Sequence, residues 1–179
     1  MLPQLYFFVS IFFALVAWSM FAHGYFWPNL RYLPRADALR PILILHSFRF
    51  EGLAFLVPGV VSPELPLGFA RSAAYGDLVA ATLAVLSLAL LRRRAGIVIV
   101  WIFNLWGSAD LLNAFYQANA AGLIPGQLGA MYFIPTVFVP LLLITHALAF
   151  RILLRSYSLP RSGVTGRSVV AAVSAGHPI

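Results

Sequence analysis

The sequence predicts an all-α protein, an integral membrane bundle of five transmembrane helices with its N-terminus outside and its C-terminus inside. Three observations carry that prediction. Of the 179 residues, 61% are hydrophobic and only 9% are charged, whereas a soluble domain carries about 25% charged residues. Five apolar stretches come near or exceed the ~20 residues that a helix needs to cross the hydrocarbon core. The arginines gather at the ends of those stretches, on alternate loops, as the positive-inside rule requires.

The first span covers about residues 3–27, with Tyr25 and Trp27 as interfacial anchors and Pro28 closing it. It has no basic leading region and outruns the apolar core of a signal peptide, so it reads as a retained helix. The second, about 38–57, contains HSFRFEGLAFL and therefore Arg49 and Glu51 inside an apolar run. The third, about 73–91, stops at Arg92, Arg93 and Arg94; the fourth covers about 96–118. The fifth, about 129–150, is followed by Arg151 and Arg155. Arg31, Arg35 and Arg40 occupy the first loop against Asp37, Arg71 is offset by Glu64 in the second, and NAAGLIPGQ in the fourth carries no charge. Residues 1–155 thus read as one membrane domain, and the Ser-, Gly- and Ala-rich stretch 156–179 as a flexible cytoplasmic tail.

Composition also excludes chemistry. Cysteine is absent, which removes disulfides, thiolate metal sites and cysteine nucleophiles. The net charge of +7 lies at helix ends rather than along one face, against a nucleic-acid partner. All twelve basic residues are arginine in a chain rich in Ala, Leu and Pro, a composition typical of a GC-rich bacterial genome and consistent with the bacterial inner membrane. There is no G-x-S-x-G, H-E-x-x-H or phosphate-binding glycine loop. Buried carboxylates leave an intramembrane acid–base enzyme open.

Residues three, four and seven apart share a helix face. Asp77 then falls on a stripe with Ala73, Ala80, Ala84 and Ser87, and small residues of this kind face neighbouring membrane helices. Asp110 lies with Phe103, Gly107 and Ala114, with Asn113 beside them; His146 shares a face with Pro135, Val139 and Leu142. At 100° per residue Glu51 lies about 200° from Arg49, so each needs a partner elsewhere: Glu51 is expected either to meet Ser10 or Ser19 on the first helix or to be protonated. Two polar layers result. The outer holds Arg49, Glu51, Asp77 and Asp110 with Asn113 and Tyr75; the inner holds His46, His146, Asn104, Thr145 and His23.

One positive and three negative side chains in the outer layer leave a surplus of negative charge, which is costly in hydrocarbon. The layer reads either as a structural salt bridge or as a site for a small polar or amphipathic ligand or cation, with Arg49, Asp77, Asp110, Asn113, Glu51, Asn104 and His146 as its residues. His46 and His146 also suit the axial positions of a b-type haem between two helices, which would make the chain an electron-transfer protein. A metal site adding His23 has no motif behind it. Pro58, Pro135 and Pro140 are expected to kink their helices. Besides the lipid bilayer, the expected partners are a second copy, if the chain transports, or a larger membrane complex in which it is an accessory subunit.

FRFEGLAFL, YGDL, NLWGSADLL and IPTVFVPLLLITH together resemble a group of small bacterial multi-pass membrane proteins without assigned activity. An Arg-x-x-Gly, a Gly-Asp and a Gly-x-x-Asp recur in that group. The resemblance covers about residues 46–151 and leaves the first span and the tail outside. It implies that Arg49 with Gly52, Gly76 with Asp77, Gly107 with Asp110, and His146 form the site, and it brings no reaction with it.

Overall fold

A computed structural model describes residues 2–155; the predicted tail, 156–179, lies outside the described residues. Among the described residues every regular element is helical, and the sole bridge joins Pro58 to Val61. Helix α1 runs over Leu2–Leu30. Helix α2, Arg35–Ser47, continues directly into a 3₁₀ run, Phe48–Leu56. Helices α3, Leu67–Leu90, and α4, Arg94–Ala120, form the central antiparallel pair. A 3₁₀ segment, Pro125–Tyr132, leads to α5, Ile134–Leu153. Four of these, α1, α3, α4 and α5, are long and apolar enough to cross a membrane.

The second predicted span is therefore not one α-helix. It changes period at Ser47, and the change has a geometric cause. With three residues per turn, Arg49, Gly52 and Phe55 stand in one column, and these are the three buried residues of the nine-residue 3₁₀ run. An α-helix would turn Gly52 and Phe55 successively about 60° away from the line of Arg49. The same period puts Phe48 and Glu51 on a second column, and both are exposed.

Two helices widen by one residue next to a proline. Trp27 N donates to Ala22 O ahead of Pro28, and Val139 N donates to Ile134 O ahead of Pro140. Both are π-turns, the expected response to a ring that cannot donate and that crowds the carbonyl four residues back. The turn in α5 is also where α1 attaches: Trp18 Nε1 donates to Val137 O at 3.1 Å. Otherwise α1 is peripheral, with only Ala22 and Leu30 buried.

The arginine-bearing loops converge at one end. Arg155 donates to the Arg31 carbonyl, Arg35 Nη2 donates to Arg155 O at 2.8 Å, and the Arg151 guanidinium lies 3.8 Å over the Trp27 ring. At the opposite end two loops are laced by Ser62 N to Gln127 O at 3.0 Å and Ala130 N to Val60 O at 2.9 Å. Gly129 allows this, because its φ is +54° and a Cβ there would lie 2.5 Å from the Val60 carbonyl. Between the ends the core has an arginine-side cluster around Leu39, Ile42, Leu43, Val100, Phe103 and Ile152, and a second around Phe55, Phe69 and Leu128. The polar residues lie between them.

Candidate functional site

The 3₁₀ column turns Arg49 toward α3, where its side chain is 1% exposed. Its Nε donates to Asp77 Oδ1 at 2.7 Å and its Nη2 to Asp110 Oδ2 at 2.7 Å. The remaining nitrogen, Nη1, reaches Gly107 O at 3.3 Å and His146 Nε2 at 3.4 Å. One guanidinium from the 3₁₀ run thus joins α3, α4 and α5. A planar fork with five donors can do this where an ammonium cannot.

The glycines of the three motifs make the approach close enough, each serving a neighbour. A Cβ at Gly52 would overlap the Asp77 carboxylate, and one at Gly76 would overlap that of Asp110. A Cβ at Gly107 would stand 2.6 Å from the His146 ring and 2.9 Å from Arg49 Nη1. The order is cyclic: the 3₁₀ run seats the acid of α3, α3 seats the acid of α4, and α4 seats the histidine of α5 and the arginine of the 3₁₀ run.

His146 Nδ1 lies 2.7 Å from Asn104 Oδ1, and Asn104 Nδ2 donates back to His146 O at 3.3 Å. An amide oxygen only accepts, so Nδ1 carries the proton and the Nε2 lone pair faces Arg49. Thr145 donates its hydroxyl to the carbonyls of Leu141 and Leu142, leaving its oxygen to accept from His46 Nε2 at 2.9 Å. His46 Nδ1 is buried without a hydrogen-bond partner. The two imidazoles touch, their centroids 4.2 Å apart, with Phe103 against both.

Arg49, Asp77, Asp110, His146, Asn104, His46 and Thr145 are therefore assembled, as one connected cluster rather than two layers, since Arg49 reaches His146. Others stand apart. Asn113 lies toward the opposite end from the arginines, 3.5 Å from Ser72 Oγ, which also accepts from Gln117 Nε2 at 2.6 Å. Glu51 is exposed and does not meet Ser10, whose hydroxyl donates to Tyr6 O at 2.8 Å within α1. Tyr75 is 56% exposed.

The haem reading does not fit. Two imidazoles that clamp one iron stand on opposite faces of a porphyrin, whereas these rings are in contact and leave no slot between them. The three-histidine site fails as well: His23 is exposed on α1, and among the described residues no three His, Asp or Glu side chains converge to hold a metal.

Asp77 and Asp110 retain 13% and 11% side-chain exposure, and Asp77 opens onto a cavity. A crevice of about 290 Å³ separates the 3₁₀ run from the π-turn of α5. Arg49 and Asp77 form its floor, Phe48, Phe138 and Leu142 its walls, and Glu51 its lip. A larger cavity of about 550 Å³ near the other loops, between α1, α4 and α5, is lined by Phe7, Phe8, Leu111 and Phe115 and holds no charged side chain. The chemistry is in the smaller one. The residues that sequence reasoning missed, Ser72 and Gln117, carry no local signal; they are ordinary side chains made relevant by helix placement.

No curated protein and no solved structure matches the chain. A family model matches residues 6–154, so the similarity takes in the first span, which the motif resemblance had left outside. The chain belongs to the family described as Domain of unknown function (DUF8737).

Proposed function

We propose that this is a five-span protein of the bacterial inner membrane, N-terminus outside and C-terminus inside, that binds a small polar or amphipathic ligand or cation at the Arg49–Asp77–Asp110 cluster. The 13 residues of α2 and the 9 of its 3₁₀ extension would reach about 38 Å if collinear, at rises of about 1.5 and 2.0 Å per residue. That exceeds the roughly 30 Å of hydrocarbon. The convergence of arginine loops at one end supports the orientation.

The observation that carries the reading is the open crevice ending on a buried guanidinium already shared by two carboxylates. With both acids ionised the cluster holds one charge of +1 against two of −1, a formal −1. Intramembrane charges of this kind mark binding or transfer sites, and a proton or bound cation would balance it. On the arginine side the site is closed by Ile42, Leu43, Val100, Phe103 and Ile152, none more than 1% exposed. Binding is therefore better supported than passage; transport would require that apolar layer to part and fits a homodimer better than five helices alone.

The glycine interlock favours a second reading, in which the cluster is a lock that holds four elements together and the chain is an accessory subunit of a larger complex. Native mass spectrometry of the purified protein separates the two when Asp110→Asn and Arg49→Gln are compared. Under the first reading wild type carries a bound small molecule or ion, and folded Asp110→Asn lacks it. Under the second, nothing is bound and both variants unfold.

A further inference from the structure

We infer that the crevice between the 3₁₀ run and α5 takes an amphipathic cation, an ammonium head on an apolar chain, that arrives sideways from the bilayer. This rests on the binding reading above and names its ligand class. Three observations support it.

The first is charge. Arg49 is the one cation at the floor and already donates to both aspartates, so it has little left to offer an anion. Glu51 at the lip adds a carboxylate. Counting Arg49, Glu51, Asp77 and Asp110, the surroundings have one positive and three negative groups. A positive head between Glu51 and Asp77 would relieve that imbalance, and a negative one would deepen it.

The second is where the opening faces. Phe48 and Phe138 flank it and are 55% and 45% exposed. Glu51 stands two residues beyond Arg49, which meets Asp77 near the middle of the 24-residue α3. A carboxylate beside exposed aromatic side chains, about 10 Å from the end of its run at Leu56, is expensive in hydrocarbon unless something positive lies against it. The laced loops lie toward the nearer end, and the apolar layer closes the other. The lateral opening is the direct access to the floor.

The third is size. A volume of about 290 Å³ is at the small end of ligand cavities, which run from about 300 Å³ upward. It suits a head group and the first part of a chain, with the remainder lying in lipid along Phe48 and Phe138. A bare inorganic cation would leave the apolar walls unused.

The test uses the full chain in phosphatidylcholine nanodiscs, with decylammonium, decanoate, decanol and sodium chloride as probes. Retention of labelled probe is measured above that of empty discs, and thermal unfolding is followed in parallel. Saturable binding of decylammonium alone, weakened about tenfold or more by Glu51→Gln and by Phe138→Ala, is the expected result. Glu51 and Phe138 are surface-facing, so both variants should fold. Binding of decanoate, or equal binding of decanol, overturns the inference. Stabilisation by sodium without decylammonium binding overturns it too, but leaves the cation-site reading standing. If no probe binds to the folded protein, both fall.

Discussion

Asp110 of α4 rests on Gly76 of α3, so closely that a single added methyl group would overlap its carboxylate. The same relationship repeats from Asp77 to Gly52 and from His146 to Gly107. The short motifs are thus pairs in which one residue provides chemistry and the other provides room for a neighbouring helix's chemistry.

Substituting these glycines should be destabilising out of proportion to the change. Gly76→Ala and Gly107→Ala are expected to cost roughly 1–3 kcal/mol each, the usual penalty of overpacking. Gly68→Ala, where nothing lies within 4 Å of the new methyl, should stay within about 0.5 kcal/mol. Denaturant unfolding in mild detergent measures all three.

The 3₁₀ column makes a contrast between two phenylalanines five residues apart. Phe55 is 4% exposed and Phe50 is 48% exposed. Phe55→Ala should cost about 3–5 kcal/mol, while Phe50→Ala should be near neutral. Comparable costs for both would mean that the segment does not hold this period.

Arg49→Lys should not rescue the site, because one ammonium lacks the fork that reaches both carboxylates. A loss of about 1–3 kcal/mol relative to wild type is expected by thermal unfolding, with the helical circular dichroism retained below the transition.

Much of this was legible in the chain. Isolated charges in apolar runs had to meet one another, since lipid offers no alternative, and so Arg49, Asp77, Asp110 and His146 were identifiable. The 3₁₀ period was not. At 100° per residue Gly52 and Phe55 do not line up with Arg49, and nothing in FRFEGLAFL announces three residues per turn. Glu51 was misassigned to α1 because the sequence does not say that α1 attaches at α5, on Trp18. The histidines were rightly brought together across two helices. Ring spacing, which decides between ligation and contact, depends on side-chain rotamers that spacing along the chain does not carry.

The tautomers are open to observation. Nitrogen chemical shifts from solid-state NMR on labelled protein in lipid should show the proton on Nδ1 of His146 and on Nε2 of His46, following their bonds to Asn104 and Thr145. Asn104→Ala should weaken the preference at His146, which Arg49 Nη1 facing Nε2 still favours, and leave His46 unchanged.

The most direct test is a double-mutant cycle on Arg49→Gln and Asp110→Asn, read as unfolding free energies in lipid nanodiscs. Two groups joined at 2.7 Å in the interior should show a coupling of about 1–3 kcal/mol, the double variant being less destabilised than the single changes sum to. Strict additivity, within about 0.5 kcal/mol, would show that the guanidinium of Arg49 and the carboxylate of Asp110 do not meet, and would contradict the account.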